Sequence, residues 1–552
     1  MAALDWFVLL ATLGFILVYG VLRTRKSHNL SGYLKGGNTD NWATVGLSVM
    51  ATQASAITFL SATGQGYESG LSFVQFYFGL PLAIVLICYV IIPIYYRLNV
   101  FTAYEYLEQR FDLKTRLFTA GLFLISRAFA AGITIFAPSI VLSTLFGWPL
   151  HLTNIAIGLF VILYTVSGGT KAVSITQKQQ MLVIFSGMFL AFYLIIDSLP
   201  PEVGFSEAMH LAGLAGKLEV VDLSFNPDTR YTLWSGLLGG FFLSLSYFGT
   251  DQSQVQRYIS AKNPEQSKLG LLFNAVLKIP MQFFILLVGV MLFAFYQFKE
   301  VPPYFNAQQM ERALHTDKGD SIRIMAEELK QLDKAKETLA FQAVQKKQEL
   351  EFTAIHIQRV KKQAEFRLLL GRALPDEQIK DTDYVFLNYV LHYFPAGIVG
   401  LLLAVILSAA MSSTSGELNA LASTAMVDFY KRLSPKLHSD SRQVLISRLF
   451  TLFWGLLAIG FALTASLFEN LIQLVNIIGS LFYGTILGVF VCGFFIKKLR
   501  AQDVFPAAIL AELGVLTCYW TTDLSFLWLN PIGCALVVFI ALIINKIWIS
   551  EK

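Results

Sequence analysis

The stretch SVMATQASAITFLSATGQG, residues 48–66, decides how the rest of the chain is interpreted. It is long enough for a membrane span, but hydroxyl and amide side chains interrupt it throughout, and Gly64 and Gly66 loosen its end. Hydrocarbon tolerates so polar a segment only where it faces protein or a solvated cavity. A helix broken in this way frees backbone carbonyls that suit a small hard cation. The pattern predicts half of an ion site; the alternative is a buried helix packed through its small residues.

The composition is that of a membrane protein. The chain has 552 residues, 55% of them hydrophobic and 14% charged, and its mean hydropathy is +0.58. Soluble domains carry about 25% charged residues. Apolar runs of about 20 residues recur, which predicts an all-α polytopic membrane protein in a lipid bilayer. The net charge of +5 is spread over loops, which argues against a nucleic-acid partner, and the four cysteines lie in apolar runs without metal-type spacing.

Hydropathy and loop charge together predict the topology. Thirteen spans are expected, at residues 4–23, 42–66, 71–97, 117–146, 150–169, 177–198, 233–258, 269–297, 388–428, 441–464, 470–497, 503–522 and 528–549. Outside the segment 299–385, the outer loops contain only two basic residues, Lys217 and Arg230. The positive-inside rule therefore places the N-terminus outside and the C-terminus in the cytoplasm. The membrane would be the plasma membrane, or the inner membrane of a bacterium.

Residues 299–385 are the one soluble-looking segment. They contain 15 basic and 15 acidic residues, and no Gly or Pro occurs from Ser321 to Leu370. This pattern predicts one long helix or a helical hairpin on the outer face. A solvated insert is the simplest interpretation, and a lid or a surface for a protein partner is the alternative. The other outer loop, 199–232, is expected to form a short helical cap.

A second polar stretch, AVILSAAMSSTSGELNALAST, covers residues 404–424, and thirteen of its 21 residues are Gly, Ala, Ser or Thr. Ser408, Ser412 and Ser415 share one helix face, with Ser413 beside Ser412. Two adjacent hydroxyls opposite bare carbonyls suit a sodium ion better than a transition metal. The alternative is a close helix crossing whose serines bond to their own helix.

Five motifs resemble one transporter family. They are ATQASAITFLSATGQGY (51–67), YRLNVFTAYEYLEQRF (96–111), YTVSGGTKAV (164–173), GTDQSQVQRY (249–258) and AAMSSTSGELNALAST (409–424). In this order they resemble the sodium:solute symporter family, most of all its iodide, monocarboxylate and multivitamin branch. The resemblance implies a leucine-transporter-like 5+5 inverted repeat with one extra N-terminal and two extra C-terminal spans. The repeats would be 42–198 and 233–497, joined by 199–232 and flanked by 1–41 and 498–552.

The resemblance also implies a sodium site. Its ligands would be the carbonyl oxygens of Ala51, Ala54 and Ala409 and the hydroxyls of Ser412 and Ser413. Relatives that bind a second sodium carry an Asp in the fifth core helix, where this chain has Gln177. A neutral amide compensates a second cation poorly, so we expect Na+ as the coupling ion, with one ion per cycle.

The substrate pocket is expected at the midplane among the core helices. Four of the residues that bind sugar in relatives are replaced here by Thr58, Tyr77, Ser244 and Val475, while their Lys is matched by Lys278. A hexose bound in the same way is therefore disfavoured. The candidate substrate residues are Gln53, Thr58, Gln75, Tyr77, Ser244, Tyr247, Phe248, Lys278 and Arg127.

Two intramembrane cations, Arg127 and Lys278, bear on the charge of the solute. A charge at this depth must be paired or reach water. The pair favours an anionic substrate, although either side chain could instead snorkel or meet a backbone carbonyl. Asp251, where relatives usually have Asn, is expected to be solvated or paired with Arg257, with a proton-sensitive role as the alternative. Glu417 and Asn419 are expected to bond between helices rather than close the ion site.

These features predict a sodium-coupled symporter of a small organic solute that works by alternating access. A monocarboxylate or an acidic sugar such as sialic acid is favoured over a neutral hexose. The alternatives are a solute-sensing transceptor, a neutral sugar or amino acid symporter, and a substrate-gated channel. No constellation of nucleophile and base in the sequence suggests an enzyme.

Overall fold

The computed structural model describes residues 2–24, 39–434, 439–464 and 471–550. Side chains are described at all of these positions except 17, 19–24, 167–175 and 548–550. Arg25 and Lys26, two of the basic residues behind the predicted topology, lie outside the described residues.

The described chain is helical, and its one pair of bridged extended residues is Asp40 with Ala261. The N-terminal half contains α1 (Ala3–Thr24), α2 (Trp42–Gln53), α3 (Ala56–Ser69), α4 (Leu80–Leu86), α5 (Ile92–Leu98), α6 (Glu105–Arg110), α7 (Leu113–Phe146), α8 (Leu150–Asp197) and α9 (Phe205–Leu214). The middle of the chain contains α10 (Gly240–Gly249), α11 (Gln252–Tyr258), α12 (Pro264–Phe295), α13 (Ala307–Leu314), α14 (Gly319–Val344), α15 (Glu349–Ala373) and α16 (Val385–Tyr393). The C-terminal part contains α17 (Ile398–Thr424), α18 (Lys431–Leu433), α19 (Asp440–Ala462), α20 (Leu471–Phe495), α21 (Ala501–Thr521) and α22 (Leu529–Ser550).

Many of these helices are long and apolar enough to cross a membrane. Within the described residues there are nine such helices, or ten when α2 and α3 are counted as one bent span. Three shorter apolar helices, Ala3–Ile16, Leu150–Val166 and Ser235–Gly249, fall where spans are also predicted. The molecule is therefore an all-helical polytopic membrane protein, as predicted.

The break expected in the opening stretch lies between α2 and α3, which are bent by 63°. Ala54 ends α2 with ψ at 68°, and Ser55 is extended with ψ at 171°. The Thr58 hydroxyl donates to the Gln53 carbonyl across the break at 3.0 Å. This bond satisfies one carbonyl that the interrupted helix leaves without an intrahelical partner.

The prediction that Gly64 and Gly66 loosen the end of the helix is wrong, since α3 continues to Ser69. A Cβ at Gly64 would lie 2.0 Å from the carbonyl oxygen of Thr382. A Cβ at Gly66 would lie 2.3 Å from the carbonyl oxygen of Leu286 on α12. These glycines allow neighbouring backbones to pack against α3.

Two predicted span boundaries differ from the structure. The spans 150–169 and 177–198 form one continuous helix, α8, because Gly168 and Gly169 cost a helix only about 1 kcal/mol each without ending it. The predicted span 388–428 is divided in two, because Pro395 forces Phe394 into an extended conformation with ψ at 143°. The helix restarts after Gly397, which has φ at 91°.

The charged segment forms a helical hairpin, which was one of the two predicted forms. Its arms, α14 and α15, pack against each other and are joined by a turn in which Lys346 and Gln348 have positive φ. α14 also packs against α9, the short helix of the other outer loop. We refer to α14 and α15 as the outer hairpin, after the side of the membrane on which the loop charges predict it.

Candidate solute cavity and ion site

A cavity of about 130 Å³ lies beside the break between α2 and α3. Side chains from the break, the 72–98 segment, α7, α10, α12, α17 and α20 line it. Eight of the nine predicted substrate residues are among them: Gln53, Thr58, Tyr77, Ser244, Tyr247, Phe248, Lys278 and Arg127. These residues come from five separate parts of the sequence, and the fold brings them to one place.

Gln75 is the predicted substrate residue that does not line the cavity. Its side chain is fully buried and bonds to backbone groups of the outer loop. Its amide nitrogen donates to the Tyr231 carbonyl at 3.2 Å, and its amide oxygen accepts from the Asp222 N–H at 2.9 Å. Gln75 therefore holds the 72–77 turn against that loop.

Arg127, on α7, is bound on both sides by acids. Its guanidinium donates to the Glu417 carboxylate at 3.1 Å, and it forms short hydrogen bonds with Asp251 and the Tyr483 hydroxyl. Glu417 also accepts from the Thr134 hydroxyl at 2.9 Å. Arg127 thus neither snorkels nor ends on a backbone carbonyl, and its positive charge is compensated within the protein.

Asp251 lies in the short link between α10 and α11. The pairing with Arg257, one of its two expected environments, does not form. The Asp251 carboxylate caps α11 by accepting from the Ser253 N–H at 2.8 Å, and it accepts from the Tyr483 hydroxyl at 3.0 Å. Arg257 instead donates to the Ser253 and Gly416 carbonyls, at 3.4 and 3.5 Å. The expected pairing overlooked Arg127, which is far away in sequence.

Lys278, on α12, is different from Arg127. It is 3% exposed and lines the cavity. Its ammonium lies 5.3 Å from the centre of the Tyr77 ring, and among the described residues no carboxylate lies within ion-pair distance. Of the two predicted intramembrane cations, Lys278 is the one without a compensating acid.

The predicted ion-site residues lie where α2 crosses α17. The Ser412 hydroxyl donates to the Ala51 carbonyl at 3.3 Å, which joins the two polar stretches. The Ser413 hydroxyl donates to the Ala409 carbonyl at 2.8 Å. Ala54 is at the break itself. The donor set is neutral oxygen only, the type that hard cations prefer.

Gln177, on α8, is fully buried beside these residues. Its amide oxygen accepts a short hydrogen bond from Ser48, and its amide nitrogen donates to the Thr52 hydroxyl at 3.3 Å and the Ser412 carbonyl at 3.5 Å. A hydrogen-bond donor, rather than a carboxylate, therefore points at the Ser412 carbonyl from position 177.

Sequence reasoning missed Tyr483 and Thr134, which complete the shell around Arg127. It did identify Glu417 as a residue that bonds between helices, and the Arg127 and Thr134 contacts are of that kind. An intramembrane Arg requires a partner, so Asp251 and Glu417 were the acids to examine first. No comparable signal marks a tyrosine or a threonine.

The chain is similar to known sodium-coupled transporters over nearly its whole length. It is 25% identical to the sodium-coupled monocarboxylate transporter 2 of Bos taurus, over 93% of this chain and 71% of that protein. It is 26% identical to the sodium/sialic acid symporter NanT of Aliivibrio fischeri, over 97% of this chain and 92% of that protein. Because the two identities are nearly equal, they do not show whether this chain resembles the animal monocarboxylate transporter or the bacterial sialic acid symporter more.

A solved structure of a sodium-coupled transporter is also similar to this chain. A Na+-coupled sialic acid symporter, in a substrate-bound outward-open state, superposes with a TM-score of 0.77 and 25% identity and covers 99% of this chain and 98% of its own. The model of the sodium:solute symporter family matches residues 33–326 and 354–511. The family consists of transporters rather than enzymes, and this chain belongs to the sodium:solute symporter family.

Proposed function

We propose that the protein is a sodium-coupled symporter of a small organic monoanion and that it works by alternating access. The observation that carries the proposal is Lys278, a buried cation that lines the cavity and that pairs with no carboxylate in the described part of the chain. A buried ammonium is costly unless an anion or several hydrogen-bond acceptors compensate it. The carboxylate of the solute would supply that compensation.

Arg127 has a different role in this proposal. Because Asp251 and Glu417 already bind its guanidinium, it does not need the solute's charge. It acts as a positioning residue that holds α7, α17 and the α10–α11 link around the cavity. Tyr77 and Tyr247 then supply aromatic walls for the hydrocarbon part of the solute.

The size of the cavity favours a short monocarboxylate. An engineered cavity of about 150 Å³ in another protein holds one benzene molecule. At about 130 Å³, this cavity suits a solute of similar size. Relatives include carriers named for monocarboxylates and for sialic acid. A nine-carbon acidic sugar would need a considerably larger space, so we favour the monocarboxylate class.

Sodium is the proposed coupling ion. The carbonyls of Ala51, Ala54 and Ala409 and the hydroxyls of Ser412 and Ser413 would bind one ion. Since Ala51 belongs to α2 and Ser412 to α17, an ion between them would join these helices and stabilise the solute side of the break. With an amide rather than a carboxylate at Gln177, a second cation has no charge to balance it. We infer one sodium per solute.

The finer architecture is also part of the proposal. We infer thirteen spans by adding the three shorter apolar helices to the ten long or bent ones, and this count takes α8 as two spans, Leu150–Val166 and Thr176–Asp197. We place a 5+5 inverted repeat at 42–198 and 233–497, with the outer loop 199–232 between the repeats. Segment 1–41 precedes them and two spans in 498–552 follow. The N-terminus and the outer hairpin would lie outside, and the C-terminus in the cytoplasm.

The binding of monocarboxylates to wild-type protein and to a Lys278→Met variant tests whether the solute is an anion. Purified protein is titrated with short monocarboxylates and their neutral amides, with sodium and with potassium, and the thermal midpoint is followed. We expect stabilisation by an acid only in sodium, because a ligand that binds the folded state raises its stability. Lys278→Met should abolish this shift, whereas Lys268→Met on the same helix should keep it. Equal shifts with the amides, or an unchanged shift in Lys278→Met, would refute an anionic solute and favour a neutral sugar or amino acid.

A further inference from the structure

A second, larger cavity lies at the outer hairpin, with a volume of about 840 Å³. Its walls come from α15 and α14, from the outer ends of α3 and α12, and from the loop after α9. It shares no lining residue with the central cavity. The turn of the hairpin lies in 327–353, the stretch that the family model leaves unmatched.

Most cations at this cavity are already paired. Arg367 binds Glu68 at 2.6 Å and Asp381 at 2.9 Å. Lys336 and Arg359 share a single carboxylate, that of Asp333, at 2.9 and 3.1 Å. The Arg367 group therefore carries one negative charge in excess, and the Asp333 group carries one positive charge in excess.

A further cation faces the cavity without an acid. The Lys217 ammonium bonds to the backbone carbonyl of Glu68 and lies 5.0 Å from the centre of the Phe293 ring. Among the described residues, no carboxylate lies within ion-pair distance of Lys217. Because the two paired groups cancel each other, Lys217 gives the Phe293 side of the cavity a positive charge of its own.

His356 lies on the same aromatic ring. Its imidazole packs edge-on against Phe293 at 5.4 Å, and its buried Nδ1 has no hydrogen-bond partner. Burial, followed by the nearby charges of Lys217, Lys336 and Arg359, lowers the pKa of His356 to about 4. The ring is therefore neutral at physiological pH, in a place of positive potential. An unpartnered buried nitrogen of this kind is stabilised by a ligand that hydrogen-bonds to it.

Phe293 thus has a cation and an unpartnered ring nitrogen beside it, and the Tyr67 ring lies 6.1 Å from it. We propose that Lys217 and His356, over the aromatic surface of Phe293 and Tyr67, form a second binding site for an organic monoanion with an apolar body. The carboxylate would bind the Lys217 ammonium and the His356 N–H beside the buried Phe293 ring, and the hydrocarbon part would lie against Tyr67 and the exposed Val360 and Leu368 of α15. One ammonium beside one neutral imidazole suits the single charge of a carboxylate.

This site goes beyond the proposed transport function and does not depend on it. No proposed sodium ligand is near it, so binding should not require sodium. A ligand there would connect the outer hairpin, through His356, to Tyr67 on the outer half of the bent span and to Phe293 on α12. Occupancy would therefore restrain the outer end of the elements that line the central cavity.

Calorimetry on the full chain in nanodiscs tests the site, with benzoate as the probe in sodium-free, potassium-containing buffer. We expect benzoate to bind and benzamide not to bind. Lys217→Gln should weaken benzoate at least ten-fold, about 1.4 kcal/mol, and His356→Phe should also weaken it. Lys346→Gln, an exposed lysine at the hairpin turn, controls for general charge and should leave the affinity unchanged.

Lys278→Met separates the two cavities, and it should leave sodium-free benzoate binding unchanged. Loss of binding in Lys278→Met, with retention in Lys217→Gln and His356→Phe, would overturn the second site, because the anion would then occupy the central cavity. No benzoate binding to the wild-type chain at millimolar concentration would overturn it as well. Neither result would bear on sodium-dependent binding in the central cavity.

Discussion

At the scale of single residues, the decisive contrast is between two buried cations at one cavity. Arg127 is held by two carboxylates and a tyrosine, whereas Lys278 faces an aromatic ring. Low dielectric makes a satisfied network rigid and an unpaired charge costly. The first cation therefore serves the structure of the cavity, and the second is available to the solute.

Asp251→Asn tests the structural role of the Arg127 network. The change leaves Glu417 to balance the buried guanidinium, but it removes the charged acceptor of the Arg127 and Tyr483 hydrogen bonds, and a hydrogen bond to a charged group contributes about 1.5–3 kcal/mol. We expect a clearly lower thermal midpoint in detergent. Asp320→Asn, on a side chain that is 92% exposed, should have almost no effect and serves as the control. An Asp251→Asn protein as stable as wild type would contradict the role assigned to Arg127.

Gln177→Asp tests the number of sodium ions. The wild-type chain should show sodium activation of uptake with a Hill coefficient near one. A carboxylate at position 177, beside Ser48, Thr52 and the Ser412 carbonyl, adds the negative charge that a second cation lacks. We expect the Hill coefficient to rise above one in this variant, measured as initial uptake against sodium concentration. A wild-type coefficient clearly above one would refute single-ion coupling.

Residue identity alone allowed a partial prediction of the site. The polar stretches pointed to the two helices that meet at Ser412 and Ala51, because hydroxyl groups within a membrane segment must face protein or a solvated cavity. That Arg127 needs an acidic partner is predictable from its depth in the membrane, but the choice between the acids is not. Which acid reaches a given arginine depends on the crossing of α7 with the α10–α11 link, and no local pattern encodes that crossing.

At the scale of elements, close backbone contact holds the bent span in place. α12 packs along both α2 and α3. A Cβ at Gly289 on α12 would lie 2.0 Å from the Thr63 carbonyl oxygen of α3. Neither backbone can yield at that distance, so the glycine sets the separation of the two helices.

Gly289→Ala should therefore separate α12 from α3. Overpacking of this kind costs about 1–3 kcal/mol, which exceeds the gain of about 1 kcal/mol that alanine brings to a helix. We expect a lower thermal midpoint and reduced uptake. Gly121→Ala, on α7 with nothing within 4 Å of its Cβ, should be neutral or slightly stabilising. Equal behaviour of the two variants would contradict the packing argument.

Elements were predictable where a local rule determines them. The absence of Gly and Pro in the charged segment indicated long helices, and α14 and α15 have that form. The continuous α8 and the break at Pro395 were missed, because two glycines were overrated as helix ends and one proline was overlooked inside an apolar run. Hydrophobicity locates membrane segments, but it does not reveal where the backbone changes direction.

At the scale of the whole molecule, the proposed cycle is electrically neutral. One sodium and one monoanion bind in each cycle, and their charges cancel. Moving the loaded carrier would then transfer no net charge, so the sodium gradient rather than the membrane potential should drive accumulation. Hydropathy alone does not predict an inverted repeat. The proposed repeat topology rests on the resemblance of the motifs to the family.

Uptake into proteoliposomes tests the central claim most directly. The purified chain is reconstituted, and radiolabelled acetate, propionate, butyrate and benzoate are offered with an inward sodium gradient, with a potassium gradient, and with valinomycin to set the membrane potential. We predict concentrative uptake of at least one of these acids that requires sodium, is unaffected by the potential, and is lost in Lys278→Met but kept in Lys268→Met. Uptake of none of them, uptake without sodium, or undiminished uptake by Lys278→Met would contradict the account.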